Sequence, residues 1–131
     1  MKIVYSDRKT GRSAQADVPK EKESLLIGNS IGDVIDGSVI GLDAYKLQIT
    51  GLSDKSGTPS MKSIDGSRKV YALMYSKHAR KKKGNRIRQL VRGRVVALDT
   101  EQINTVIIEY GAKPAEELFK SKQQAEAKEK Q

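Results

Sequence analysis

Residues 45–50 read YKLQIT, an alternation that places Tyr45, Leu47 and Ile49 on one side of an extended chain and polar residues on the other. A period of two is typical of a β-strand with one buried face. Val and Ile are frequent along the whole chain, which contains one Phe and no Trp. The composition and the pattern together predict a β-rich fold rather than a bundle of Leu-rich helices.

Similar strand signals precede this stretch. Residues 2–5 and 13–18, joined by a polar turn around residues 8–12, predict an N-terminal β-hairpin. Residues 33–35 and 38–40 are short apolar-rich runs separated by glycines, which is typical of short strands and tight corners. We therefore expect several short strands before residue 45, with room for one helical turn within residues 19–26.

Three further strand signals follow. Residues 70–75 (VYALMY) are continuously apolar, which predicts a strand that is buried on both faces. Residues 86–91 alternate again, with arginines on one face and apolar residues on the other. Residues 103–110 form the last predicted strand. One face of the arginine-bearing strand can therefore join a core while the other presents its arginines to solvent.

The last segment changes character at Pro114, which stands where the first residue of a helix is favoured. Glu116 and Lys120 form an i,i+4 pair in the favourable order. Beyond about Gln123 the segment has almost no apolar residue that would dock, so we expect its end to fray. The residues alone thus predict an all-β body followed by a short C-terminal helix.

The positive charge of the chain is concentrated in one block. The whole protein carries a net charge of +9, from 25 basic and 16 acidic residues. Residues 62–94, the basic block, hold twelve Lys or Arg and one acid, Asp65, so the block is +11 and the rest of the chain is −2. Such a block favours a polyanion, because each phosphate contact releases condensed counterions. Nucleic acid is the leading predicted partner, and a solvated charged face is the alternative.

The kind of nucleic-acid binding can be narrowed. Residues 76–85 carry five Lys or Arg without an apolar period, which predicts an exposed basic loop. Five Tyr and one Phe leave little for a base-stacking platform, and no Cys/His finger is present. What is left is a β-scaffold that presents cations to the phosphates of folded RNA. The candidate RNA-binding residues are those of the loop and its flanking strands: Arg68, Lys69, Lys77, His78, Arg80, Lys81, Lys82, Lys83, Arg86, Arg88, Arg92 and Arg94.

One catalytic pattern matches formally. Residues 28–32 (GNSIG) form a G-x-S-x-G string, and His78 lies downstream of Ser30. A nucleophile elbow needs a strand before the serine and a helix after it, whereas further glycines and a strand-like run follow here. The chain has no cysteine and one histidine, and it lacks a phosphate-binding loop and a calcium loop. We therefore predict no enzyme, metal or cofactor, with a small hydrolase built on Ser30 and His78 as the rival hypothesis.

The location of the protein is indicated by simple features of the sequence. The sequence has no run of eighteen apolar residues that would span a membrane, and its first residues lack the apolar core of a signal peptide. The absence of cysteine fits a reducing compartment. We expect a cytoplasmic protein that is a monomer when free.

Several short strings resemble the ribosomal protein S6e family of the small ribosomal subunit, which belongs to archaea and eukaryotes. In the family's order and approximate spacing they are IGD at 31–33, GLDAYKLQITG at 41–51, SDKSG at 53–57, VRG at 91–93 and QIN at 102–104. The chain departs from the family at Leu52, where a second glycine is usual, at residues 57–61, where a Gly-Phe-Pro-Met string is usual, and at residues 86–90, where the basic lead is thinned. The string at 45–51 is the most specific part of the resemblance.

The resemblance implies a small β-barrel-like, rRNA-binding domain at residues 1–112 with its basic loop at 76–85, and a C-terminal helix at 113–131 that frays into a polar tail. It implies a structural constituent of the 30S subunit, with small-subunit rRNA and neighbouring ribosomal proteins as partners and no catalysis. The neutral tail resembles archaeal members, because eukaryotic members continue into a long basic helix. The alternative is a free RNA-binding module of the translation apparatus that acts off the ribosome.

Overall fold

A computed structural model describes residues 1–75, 86–111 and 119 of the chain. The elements in this part are β1 (Lys2–Ser6), β2 (Ser13–Asp17), α1 (Lys20–Leu26), β3 (Val34–Asp36), a 3₁₀ helix (Gly37–Ile40), β4 (Lys46–Asp54), β5 (Lys69–Tyr75), β6 (Arg86–Arg92) and β7 (Thr100–Glu109).

The strands form two separate sheets. Five of them make a mixed sheet in the order β2-β1-β7-β4-β3, in which β1 and β7 are parallel and the other neighbours are antiparallel. β5 and β6 make a two-stranded antiparallel sheet, which we call the ribbon. Within the described residues β2 and β3 are the edge strands of the large sheet, so this sheet is open.

The core lies on one face of the large sheet. Ile3 is opposite Ile103, and Leu47 is opposite Ile107, so residues from three adjacent strands meet on this face. All four are almost completely buried. α1 adds Leu26, which is also fully buried in the same cluster. The alternation along β1, β4 and β7 is therefore explained by one shared apolar face.

A β-bulge keeps β4 in register with the core. The pairing of β4 with β7 shifts between Ile49 and Gly51, so that Ile49 is opposite Thr105 and Leu52 is opposite Ile103. Ile49 and Leu52 are both buried although they are three residues apart. An extra residue at a bulge reverses the face of the positions that follow. Leu52 therefore contributes to the core.

Several predictions of local structure are confirmed. β1 and β2 form the N-terminal antiparallel hairpin. Tyr45, Leu47 and Ile49 all face the core, as the alternation indicates. The last predicted strand corresponds to β7. These segments have a strong local pattern, and tertiary packing reinforces it.

The predicted β-barrel-like fold is wrong. The structure has an open five-stranded sheet and a separate ribbon instead of a closed barrel. The helical turn expected within residues 19–26 is confirmed by α1, which the all-β description left out; its sequence KEKESLL consists of residues that tolerate or favour a helix and has no β-branched residue. Residues 38–40 belong to the 3₁₀ helix rather than to a strand. This helix ends at Ile40 and is capped by Gly41, whose φ of 78° suits glycine.

Two further corrections concern the second half of the chain. β5 was predicted to be buried on both faces, but its burial alternates and one face is open to solvent. The predicted C-terminal helix at 113–131 is not shown, because residues 112–118 and 120–131 lie outside the described part. Phe119 alone is described there, and its ring packs 5.7 Å from that of Tyr5. Of the helices described, none is long and apolar enough to cross a bilayer.

Candidate nucleic-acid interface

A short extended segment joins the ribbon to the large sheet. The amide of Ser60 donates to the carbonyl of Leu52 in β4 at 3.0 Å. On its other side, the Arg92 amide of β6 donates to Pro59 O, and the Met61 amide donates to Arg92 O, both at 2.9 Å. Residues 59–61 therefore lie between β4 and β6 and fix the base of the ribbon.

A buried carboxylate strengthens this attachment. The Asp54 side chain, at the end of β4, is only 2% exposed. It accepts a hydrogen bond from the Thr58 amide at 2.8 Å and pairs with Lys69 Nζ at 3.2 Å and with Arg92 Nη1 at 3.5 Å. Lys69 begins β5 and Arg92 ends β6, so one carboxylate holds the base of both ribbon strands.

The same contacts set the ionisation of this group. Burial raises the pKa of Asp54, but the hydrogen bonds from the Thr58 amide and the Lys69 ammonium group outweigh that effect. The net result is a pKa below the ordinary value of 3.8. The ribbon is therefore attached to the sheet through a charged carboxylate at neutral pH.

Two candidate RNA-binding arginines have partners within the protein. The Arg92 side chain is 12% exposed; its Nε donates to Ser67 O at 3.1 Å, and its Nη2 lies 3.5 Å from Asp99. Arg94 Nη2 lies 2.8 Å from an Asp65 carboxylate oxygen, in an exposed pair. Most of the hydrogen-bonding capacity of Arg92 is thus directed inward, whereas an exposed pair such as Arg94–Asp65 costs little to open.

At the other end of β6, two candidate arginines have no acidic partner among the described residues. Arg86 and Arg88 are exposed, and neither forms an ion pair with an acid among the described residues. The Arg88 guanidinium lies 4.2 Å from the centre of the Tyr71 ring. Arg86 lies 5.4 Å from the centre of the Tyr75 ring and donates to its hydroxyl at 3.3 Å. These contacts are cation–π interactions, which orient the guanidinium groups without neutralising them.

These residues share one surface, the outer face of the ribbon. We define it as Tyr71, Leu73 and Tyr75 of β5 with Arg86 and Arg88 of β6. Leu73 is directly opposite Arg88, and Tyr75 is opposite Arg86. Tyr71 is directly opposite Leu90, so Arg88 is its diagonal neighbour. A long side chain can reach a diagonal neighbour on the adjacent strand. The pleat of a β-strand therefore collects two arginines, two tyrosines and a leucine on a single exposed face.

Sequence reasoning identified the arginines of this face but missed the aromatic residues. The apolar run at 70–75 was interpreted as a buried strand, and the tyrosines were not counted as candidates. The available signal was the spacing of Tyr71, Leu73 and Tyr75 at i, i+2 and i+4, which places them on the same face of a strand. The sequence does not say which face of the strand is exposed; the burial of β5 in the folded protein does.

The inner face of the ribbon is different in character. Met74, Ile87 and Val91 line an open, mainly apolar groove of about 520 Å³ together with Pro59, Met61, Gln89 and the edge of the ribbon at Tyr75. Val91 is completely buried. The ribbon thus has one mainly apolar face, and its opposite face is cationic, aromatic and open to solvent.

Seven candidate RNA-binding residues remain, of which one, Arg68, lies in the described part of the chain. Arg68 is exposed immediately before β5, and its carbonyl accepts a hydrogen bond from the Gly93 amide at 3.1 Å. Six candidates lie outside the described residues: Lys77, His78, Arg80, Lys81, Lys82 and Lys83. Their place in RNA binding rests on the sequence alone.

The hydrolase pattern has no supporting geometry in the described residues. Ser30 is followed by a turn in which its carbonyl accepts from the Asp33 amide at 3.0 Å and its own amide donates to Asp33 Oδ2 at 2.7 Å. A turn stands where a nucleophile elbow requires a helix. His78 lies outside the described part. In that part, moreover, no three His, Asp or Glu residues come together as they would around a metal ion.

The Asp54 attachment predicts a specific dependence on pH. Because its pKa is lower in the folded than in the unfolded chain, Asp54 stabilises the fold above pH 3.8. This contribution is lost as the pH falls through the folded-state value. We expect Asp54→Asn to lower the thermal midpoint at pH 7 and to reduce its dependence on pH in the acid range.

Thermal unfolding of both proteins across the acid range measures this effect. Asp33→Asn is a suitable control, since Asp33 is exposed and has no ribbon contact. An Asp54→Asn variant with the wild-type midpoint at neutral pH would contradict the proposed attachment.

The chain is similar to known proteins over most of its length. A family model described as ribosomal protein S6e matches residues 1–120. The chain is 44% identical over 120 residues to small ribosomal subunit protein eS6 of Methanothermobacter thermautotrophicus, covering 90% of this chain and 94% of that protein. It is 45% identical over 120 residues to the protein of the same name from Methanocaldococcus jannaschii, covering 90% and 89%. The protein of that name from Archaeoglobus fulgidus is 41% identical over 126 residues, covering 94% and 98%.

Proposed function

The chain belongs to the ribosomal protein S6e family, and on this basis we propose that it is a structural constituent of the small ribosomal subunit that binds folded rRNA through its basic block. The family membership confirms the resemblance found in the sequence. It also confirms that the chain is not an enzyme, since the family is one of ribosomal proteins. The hydrolase hypothesis based on Ser30 and His78 is therefore set aside.

The observation that carries the RNA-binding part of this proposal is the unpaired cationic face of the ribbon. Arg86 and Arg88 are exposed and without an acidic partner in the described residues. Neither β5 nor β6 contains an acid, and both strands flank the five basic residues at 76–85. A protein gains little by holding so many like charges together unless a polyanion neutralises them. rRNA supplies that polyanion in a ribosomal protein.

The attachment of the ribbon fits this role. Asp54 and residues 59–61 fix the base of the ribbon to the large sheet. A rigid support reduces the entropy lost when side chains bind. We expect small-subunit rRNA and neighbouring ribosomal proteins as partners, a location on ribosomes in the cytoplasm, and a monomer when the protein is free.

Salt dependence tests the phosphate contacts. If about six of the twelve basic residues in the block contact phosphates, log affinity for a small-subunit rRNA fragment falls with log salt at a slope of about −4 to −5, at 0.7–0.9 per contact. Fluorescence anisotropy with a labelled rRNA fragment between about 50 and 200 mM salt measures this slope. A slope near zero would contradict a phosphate-dominated interface.

Sedimentation distinguishes a ribosomal protein from a free RNA-binding module. We expect the protein to co-sediment with 30S particles of its own cells and to release from them at high salt. A protein found mainly in the soluble fractions of the gradient at low salt would favour the module that acts off the ribosome. The two functions share the RNA-binding face, so the salt experiment does not separate them.

A further inference from the structure

The outer face of the ribbon exposes more apolar and aromatic surface than phosphate binding requires. Tyr71, Leu73 and Tyr75 are 62%, 69% and 63% exposed, respectively. Aromatic side chains stabilise a protein mainly by being buried, so a row of them in solvent forgoes that stabilisation. Such a surface is typical of a binding site.

We propose that the outer face binds unpaired nucleotides, whose bases stack on Tyr71 and Tyr75 and on the guanidinium groups that lie over these rings. The inference rests on the proposed RNA-binding function and adds the class of RNA element that this face recognises. It replaces the expectation from composition that the few aromatic residues leave little for base stacking, because two of them share one exposed face. It selects bulged or loop nucleotides, whereas phosphate contacts alone do not distinguish loops from duplexes.

The geometry of Arg88 and Tyr71 supports this mode of binding. The guanidinium lies 4.2 Å from the ring centre, so it covers one side of the ring. A guanidinium is planar and delocalised, and its second side stacks on a base as its first side does on the ring. A base placed over Arg88 would continue the stack outward. The positive charge of Arg88 would remain available to a phosphate of the same RNA strand.

The spacing along β5 defines two stacking positions. Tyr71 and Tyr75 are four residues apart, which corresponds to about 13 Å in a strand. Adjacent stacked bases are only about 3.4 Å apart. The two rings therefore receive bases that are splayed apart rather than two bases of a continuous stack. Leu73 lies between them and offers apolar contact to the intervening nucleotide.

The charge of the ribbon favours RNA over a protein as the occupant. Tyr and Arg are also enriched in protein–protein interfaces. However, β5 and β6 have no acid, and the block around them carries a net charge of +11. An RNA strand satisfies the rings with its bases and the cations with its phosphates. A protein partner would need an apolar surface combined with many carboxylates.

The experiment compares a hairpin RNA that has an unpaired purine loop with a fully paired duplex of equal length. The variant Tyr71→Leu/Tyr75→Leu removes both rings and keeps apolar side chains on the strand. We expect it to bind the hairpin about 30-fold more weakly, which corresponds to about 1 kcal/mol for each of two bases. Binding to the duplex should be unchanged. Tyr71→Phe/Tyr75→Phe, which keeps the rings, should retain the wild-type affinity for both RNAs.

A second readout reports stacking directly. We expect 2-aminopurine placed in the loop to be quenched by the wild-type protein and by the double Phe variant, but not by the double Leu variant. Arg88→Lys keeps the charge and removes the planar group, so it should weaken binding to the loop RNA more than binding to the duplex. If thermal unfolding shows that the double Leu variant is not folded, Arg88→Lys still tests the proposal.

The possible results distinguish the stacking proposal from the proposed RNA-binding function. An equal loss of affinity for loop and duplex, or no loss for the loop, would overturn the stacking proposal and leave phosphate binding intact. Normal RNA binding with loss of assembly into 30S particles would show that the face contacts a protein, which also overturns it. If the wild-type protein bound neither RNA, the proposed RNA-binding function itself would be contradicted.

Discussion

Replacing Gly93 with alanine is expected to destabilise the fold by about 3 kcal/mol or more, because the added methyl group has no space and meets backbone rather than a flexible side chain. A Cβ at this position would lie 2.0 Å from the carbonyl oxygen of Gly66 and 2.9 Å from that of Asp65. The clash cannot be relieved by a change of rotamer. One of the two backbone segments must move.

The segments that would move are held by hydrogen bonds. The Val95 amide donates to Gly66 O at 3.0 Å, the Arg94 amide donates to Ile64 O at 2.9 Å, and the Gly93 amide donates to Arg68 O at 3.1 Å. Displacing residues 64–68 from residues 93–95 strains or breaks these bonds at the base of the ribbon. An unmade buried hydrogen bond costs about 1–3 kcal/mol, which adds to the steric term.

Thermal and denaturant unfolding measure this effect, and Gly51→Ala provides a matched control. A Cβ at Gly51 would have Asn104 Nδ2 as its nearest neighbour, at 3.7 Å, which is an ordinary contact. We expect Gly93→Ala to lower the thermal midpoint by about 10 °C or more and Gly51→Ala to change it little. Equal midpoints for Gly93→Ala and the wild type would show that the two segments do not approach this closely.

The confirmed parts of the fold were those with a local cause. The side chains of residues 45–50 alternate, and this segment forms a strand with one buried face because its neighbours β3 and β7 share that face. The same is true of the N-terminal hairpin, whose strands are close in sequence. Local pattern and tertiary packing agree in these segments, which is why the sequence was sufficient there.

The errors arose where distant residues decide the structure. The arrangement of the sheet and the ribbon depends on the pairing of β1 with β7 and on the attachment at Asp54. Both join parts of the chain that no local pattern connects. The apolar run at 70–75 was consistent with burial on both faces, but its single partner strand leaves Tyr71 and Tyr75 in solvent. An apolar run indicates a strand, but it does not show how many other strands will pair with it.

The candidate site shows the same distinction between composition and geometry. Counting charges located the basic block, because net charge is a property of composition. It did not distinguish Arg92, whose guanidinium is directed towards Asp54 and Asp99, from Arg88, which has no acidic partner in the described residues. Identical side chains thus differ in their availability for RNA, and only the tertiary contacts reveal which is which.

Replacing Lys81, Lys82 and Lys83 together with alanine is expected to weaken binding to an rRNA fragment by about 100-fold at about 0.15 M salt. Three lost phosphate contacts at 0.7–0.9 each reduce the salt slope by about 2 to 3, from about −4 to −5 towards −2. Affinity extrapolated to 1 M salt should be nearly equal for the two proteins, because counterion release contributes nothing there. The loss at lower salt should be almost uniform across RNA sequences, since phosphate contacts position the protein without specifying bases.

The control for this variant removes the same charge elsewhere. Arg8, Arg12 and Lys20 are exposed and lie outside the basic block, and their joint replacement with alanine changes the net charge by the same amount. If the block itself makes the contacts, the control keeps most of the wild-type slope, whereas a general attraction of a cationic protein to RNA would weaken both variants alike. Circular dichroism and thermal unfolding establish that each variant is folded. A Lys81/Lys82/Lys83 variant with the wild-type slope and affinity would assign this run to a solvated surface, and the phosphate contacts would then have to come from the arginines of the ribbon.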